Sequence, residues 1–157
     1  MIVYVSMKDR LTLDNIPLPP TVNKAYKSIG RGRRALTTEG KSYKRRLIDS
    51  VIPRFAIDSF AKDLIKENEA LTVDITLHLD NIQNKGWPKK SKTRYKRIDI
   101  SNRIKLLEDA LFECFGVDDC NVFQLTITKI PSTCVPNRSY VSVEIRRFHD
   151  GNTGGGS

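Results

Sequence analysis

From Ser101 to Phe115 the apolar residues Ile104, Leu107, Leu111 and Phe115 recur on one side of an ideal helix, with Ala110 and Cys114 beside them. Gly116 follows as a natural terminator. A helix with one apolar stripe must bury it against another element, and here the sequence offers strands. Residues 71–79 alternate apolar and polar side chains and predict a half-buried strand with His78 on its solvated polar face. Residues 121–130 and 139–147 read as two more strands. The second sets Tyr140, Ser142, Glu144 and Arg146 against Val141, Val143 and Ile145.

Upstream, residues 2–7 and 10–16 read as short extended pieces, ended by Pro17, Pro19 and Pro20. Residues 21–36 are expected to be a polar loop containing Asn23, Tyr26, Gly30, Arg31, Gly32, Arg33 and Arg34. It is either a solvated connection or a phosphate-gripping arm. From Thr38 to about Lys66 the pattern is helical, with Tyr43, Leu47, Val51 and Phe55 four apart and Pro53 dividing or kinking the run. The order of strands, helix, strand, helix, strand, strand predicts an α+β (mixed α/β) fold: a single domain over residues 1–150, with one mixed sheet and two or more helices packed on it. The last seven residues, Gly151 to Ser157, read as a flexible tail or an expression remnant.

Composition narrows the partner. Lys and Arg number 27 against 18 Asp and Glu in 157 residues, a formal net charge of +9, which favours a polyanion and makes nucleic acid the leading candidate. No signal peptide and no apolar run of membrane-spanning length is present, so a soluble, cytoplasmic protein with no membrane partner is expected. Cys114, Cys120 and Cys134, with His78 and His149, complete no zinc pattern. The charge is concentrated between Asn84 and Arg97, where Lys85, Lys89, Lys90, Lys92, Arg94, Lys96 and Arg97 surround Trp87 and Tyr95 without one acid. Such a segment cannot bury itself and is expected to be mobile without a partner. It is a solvated face or a DNA-binding surface with two stacking rings.

That basic run leads directly into acids. Asp99 stands just before the 101–115 helix, and Asp118 and Asp119 stand just after it. Carboxylates hold hard divalent cations, and a lysine nearby stabilises charge on a phosphate, so this grouping suits metal-dependent cleavage of a nucleic acid. Turns also collect Asp for reasons of capping alone, and the two ends of the helix lie a helix length apart unless another element intervenes. Ser101, Lys105 and Glu108 fall within about 60 degrees of one another on the helix surface, beside the apolar stripe. They form either part of a site or an exposed lysine–glutamate pair.

The pattern Asp99-x-Ser101-Asn102-x-x-Lys105-x-x-x-Asp109-Ala-Leu111, with Asp118-Asp119 following, resembles the RusA family of Holliday-junction resolvases, common in phages and prophages, whose hallmark is D-x-D-N-x-x-K-x-x-x-D-A-L and then a D-D pair. Upstream, Pro19-Pro20-x-x-Asn23-x-x-Tyr26 is similar to the family's early P-P-x-x-N-x-x-Y, and Thr38-Glu-Gly40-x-x-Tyr43 to its first helix. The resemblance spans about residues 10–147. It implies a homodimeric endonuclease, dependent on magnesium or on manganese in its place, that resolves four-way DNA junctions by paired nicks. It further implies Asp99 and Asp119 as catalytic metal ligands with Asp118 beside them as a further ligand, Lys105 as the catalytic lysine, and Ser101, Asn102 and Asp109 as supports of the motif. Arg31, Arg33, Arg34, Lys89, Lys90, Lys92, Arg94, Lys96 and Arg97 are the expected DNA contacts.

One position departs from the hallmark. Ser101 stands where the motif has its second aspartate, which removes a carboxylate; Ser101 would then cap the helix, and Glu108 is the expected replacement ligand. The departure opens a rival reading, a branched-DNA-binding protein that does not cut. A basic RNA-binding module is a third, against which the set of Asp99, Lys105 and Asp119 argues.

Overall fold

The computed structural model describes residues 1–98, 100–132 and 138–149, with Asn102 described for its backbone alone. Its elements are β1 (Val3–Ser6), β2 (Arg10–Pro17), α1 (Val22–Ala25), β3 (Tyr26–Gly30), β4 (Arg33–Leu36), α2 (Thr38–Ala56), α3 (Ser59–Leu64), β5 (Leu71–Leu79), α4 (Ser101–Phe115), a 3-10 turn (Asp119–Asn121), β6 (Val122–Pro131) and β7 (Tyr140–Arg147). Five strands make one sheet in the order β1-β2-β7-β5-β6, and β3 pairs with β4 in a separate hairpin. Only the β5–β6 pair of the large sheet is parallel, as a strand–helix–strand crossover through α4 requires. The result is the single-domain α+β fold with one mixed sheet that the sequence predicts.

Alternation decides which sheet face is buried. Leu11 and Leu13 of β2, Val73, Ile75 and Leu77 of β5, and Val141, Val143 and Ile145 of β7 are all at most 2% exposed. They share a core with Leu47, Val51 and Phe55 of α2 and Ile104, Leu107, Ala110, Leu111 and Phe115 of α4. Each large side chain sealed there contributes about 1.5–3 kcal/mol. The opposite face is polar, with Arg146 paired to Asp74. His78 lies on that face but is half-buried, not solvated: its ring stacks on Tyr140 at 4.2 Å and its Nε2 is 2.8 Å from Ser142 Oγ.

Two further expectations need correction. Residues 21–36 form α1 and a hairpin, because Gly30, Arg31 and Gly32 take positive φ and reverse the chain sharply enough for β3 and β4 to pair. The helix from Thr38 does not break at Pro53; it runs through to Ala56, held by buried Val51 and Phe55 on either side. The break falls at Ile57–Asp58, where the Asp58 carboxylate accepts from the Ala61 N–H and caps α3. The basic segment 84–97 also has an internal frame. Asn84 Nδ2 donates to Thr93 O at 2.8 Å and Tyr95 O at 3.3 Å, and the backbones of Gln83 and Tyr95 bridge.

The upstream motif residues have packing roles. Tyr43 Oη donates to Pro17 O at 2.8 Å, fixing α2 against the end of β2. Gly40 lets the first turn of α2 approach α1, since a Cβ there would stand 2.5 Å from Ala25 O. Arg103 Nη1 donates to Pro19 O at 3.2 Å and ties the proline segment to α4.

Candidate active site

The position of Asp119 follows from the end of α4. Gly116 adopts φ 67°, and the Val117 N–H returns to Phe112 O at 3.3 Å, the six-to-one closure of a left-handed helix cap. The chain therefore reverses at once, and Asp118 and Asp119 fold back beside α4. Asp118 Oδ1 accepts from the Cys120 N–H at 3.0 Å and caps the 3-10 turn. Asn121, 8% exposed, locks that turn: its amide donates to the carbonyls of Lys66 and Glu69 at 3.1 Å each, and to that of Glu67. An open cavity of about 710 Å³ follows, lined by Glu67, Asp109, Glu113, Asp118 and Asp119.

Electrostatics show how closely these acids are gathered. Burial, then the charges of Asp109 and Asp119, push the half-buried Glu108 carboxyl above its ordinary range. A hydrogen bond that protonated Asp119 donates to Asp118, with Asp118's charge and then Asp109's, raises Asp119. Asp118 moves the other way, lowered by the Cys120 N–H it accepts. Like charges raise one another's pKa when no cation separates them.

Lys105 stands one turn before Asp109 on the same side of α4. Its ammonium lies 5.7 Å from the centroid of the Tyr26 ring, within cation–π range, and Tyr26 Oη donates to Asp109 Oδ2 at 3.1 Å. Burial and the Asp109 charge raise the Tyr26 phenol to about 12, so it remains a donor at neutral pH. Tyr26 thus connects the first motif to the acidic one.

Of the expected site residues, the structure brings Lys105, Glu108, Asp109, Asp118 and Asp119 to one side of α4. Asp99 lies outside the described residues, as do the side chain of Asn102 and all of Cys134. Ser101 is the first residue of α4 and not its cap, a position held by Ile100. Among the described residues no three His, Cys, Asp or Glu side chains converge to hold an ion. The donor set itself, carboxylate oxygens that repel one another, suits a hard divalent cation. Glu67 and Glu113 belong to the cavity but were not expected there. Glu67 comes from before β5, and no local pattern announces it; Glu113 stands one turn beyond Asp109 and pairs with Lys44 of α2.

The expected DNA contacts form two exposed groups. Arg31, Arg33 and Arg34 lie at the turn and on the second strand of the β3–β4 hairpin, and Lys89, Lys90, Lys92, Arg94, Lys96 and Arg97 in the loop before α4. Lys24, Arg46 and Arg103 line a cleft of about 380 Å³ beside the proline segment and add basic groups the expectation omitted. No described helix is long and apolar enough to cross a membrane.

Solved structures similar to this chain include two crystal structures of the periplasmic domain of Helicobacter pylori MotB. One, of residues 78–256, is 16% identical with a TM-score of 0.37, covering 97% of this chain and 84% of that one. The other, of residues 90–256, is 17% identical with a TM-score of 0.34, covering 96% and 81%. Similarity at that level carries no functional argument. A search of curated proteins finds none that matches. The family described as Endodeoxyribonuclease RusA matches residues 17–146. That span takes in the proline segment, α4 and the Asp118-Asp119 turn, and the chain belongs to the RusA family of Holliday-junction-resolving endodeoxyribonucleases.

Proposed function

We propose that this protein is a magnesium-dependent, structure-specific endonuclease that resolves four-way junctions and related branched DNA by paired nicks. It would act as a homodimer in recombination and repair, in the cytoplasm of a bacterium or of a phage-infected host. The return of Asp119 to the side of α4 that carries Glu108, Asp109 and Lys105 supports this reading most directly. Asp119 with Asp99 would hold the cation, Glu108 would supply the charge missing at Ser101, and Asp118 would keep the turn in place. A divalent ion held by these residues would supply polarisation of a phosphoryl oxygen and a lowered pKa for a bound water. Lys105 places its ammonium where charge gathers on the phosphate, and the Tyr26 ring, fixed by Asp109, positions it. The basic hairpin and loop hold the flanking strands.

Two identical cuts suit a two-fold assembly. Edge strand β6 favours one: Phe123 is 65% exposed and Leu125 41%, and among the described residues its outer backbone edge has no partner strand in the sheet. The second reading, a junction-binding protein that does not cut, has one observation in its favour, the loss of a carboxylate at Ser101.

Incubating a synthetic four-way junction with the protein in magnesium, with Asp99→Asn as control and binding followed in parallel, separates the readings. The endonuclease reading expects paired nicks that disappear in Asp99→Asn and in chelator, with binding retained. Tight binding with no nick under any of these conditions contradicts it and favours the second reading.

A further inference from the structure

Beyond the phosphate-binding charges, the loop before α4 builds a concave feature that charge does not explain. A cavity of about 430 Å³ lies at its base, lined by Asn81, Gln83, Asn84, Lys85, Trp87 and Pro131. One wall is an aromatic ring, 43% exposed in a strongly basic segment. Asn81, Gln83 and Asn84 stand at the same cavity; the Asn84 amide N–H groups serve the loop's frame and that of Asn81 donates to Asp80 at 3.0 Å, so the Gln83 amide is the group suited both to donate to and to accept from the edge of a base. The Arg94 guanidinium carbon lies 5.2 Å from the Trp87 ring centroid and 5.3 Å from that of Tyr95, itself 49% exposed, so one cation steadies both rings. Asn84 holds the two limbs of the loop together through Thr93 and Tyr95, and Asn84 N–H donates to Arg94 O at 2.9 Å. The platform is therefore assembled before any ligand arrives.

A flat ring beside a cavity that offers an amide and a lysine suits a nucleobase out of its stack, with its phosphate on Lys85. A continuous duplex keeps every base in one stack, whereas a branch point interrupts the stack where the strands exchange. We infer that the Trp87 cavity takes an unpaired or unstacked base and is the element by which this protein distinguishes branched from linear DNA. The inference rests on the branched-DNA reading for its substrate, while the cavity can be tested without cleavage.

Trp87 is the only tryptophan in the sequence, so intrinsic fluorescence reports on it alone. The full chain is titrated, without magnesium, with a four-way junction, a linear duplex of equal length and a single strand, while the anisotropy of labelled DNA reports binding. The junction and the single strand should quench the emission as they bind, and the duplex should bind without comparable quenching. Trp87→Ala should reduce the preference for junction over duplex about tenfold, the size expected for one lost base stack, while Trp87→Phe retains most of it. The salt dependence of binding should not change, since every phosphate-binding cation is still in place. Equal quenching by duplex, or a Trp87→Ala protein with the parent's preference, overturns the inference. Quenching by single strands from a protein that never nicks a junction would support the cavity and contradict the nuclease reading. Normal nicking with an unchanged preference in Trp87→Ala would contradict the cavity alone.

Discussion

The acids around α4 and the cations of the loop before it differ in how the fold holds them. Asp118 caps a turn, Asp109 holds Tyr26, and Glu108 is half-buried against its neighbours, so each is fixed by contacts elsewhere. Lys89, Lys90, Lys92, Lys96 and Arg97 are exposed on a loop whose frame is made by Asn84, Gln83, Tyr95 and Arg94. Chemistry on one phosphate requires groups at fixed positions, whereas gripping a polyanion requires only the right sign over an area. Single changes should therefore act as a switch in the first region and as a graded loss in the second.

The largest expected effect is on the acidic side. Asp119→Asn should lower junction cleavage by at least about a hundredfold, the scale on which loss of one charge-stabilising group acts, and leave junction affinity at or above the parent's. Cleavage and gel-shift assays on the same preparation check this, and parallel loss of both would erase the distinction between the two regions.

A smaller effect concerns pH. Glu108 and Asp119 are raised in the folded protein, so these two groups take up protons on folding and their contribution to the metal-free protein's stability falls as pH rises above the ordinary carboxylate range, opposite in sign to that of the lowered Asp118. A cation replaces those protons. The rise in Tm on adding magnesium should therefore be larger near pH 7 than near pH 5, by about 2–4 °C, and Glu108→Gln should reduce that difference. A magnesium shift independent of pH would mean that the ion does not meet these carboxylates.

The smallest effects belong to the basic loop. Lys89→Ala with Lys92→Ala should weaken junction and duplex binding alike and lower the slope of log affinity against log salt by about one for each phosphate no longer neutralised. A loss confined to junctions would show that these lysines read shape, a role the account gives to Trp87.

How much was legible follows the same division. The strand over residues 71–79 and the helix over 101–115 were plain because one face of each is sealed in the core, which imposes a period on the sequence. The hairpin from Tyr26 to Leu36 has no sealed face, and only the Gly30 and Gly32 pair flanking Arg31 signals its turn. The loop's internal frame depends on the Asn84 side chain bonding to backbone nine and eleven residues away, which leaves no periodic trace. In the site, the sequence placed the acids at opposite ends of a helix. The left-handed turn at Gly116 brings Asp119 back, and its consequence shows only in three dimensions. Glu67 was invisible because Asn121 recruits its backbone from a distant segment.

Everything proposed for the site turns on whether the carboxylates returned to α4 bind the catalytic cation. Titrating the protein with manganese and following the free ion by electron paramagnetic resonance tests it without DNA or turnover. The account predicts saturable binding by the parent, weakened at least about tenfold in Glu108→Gln and more in Asp119→Asn. Binding unchanged in both variants, in proteins that remain folded, would contradict it.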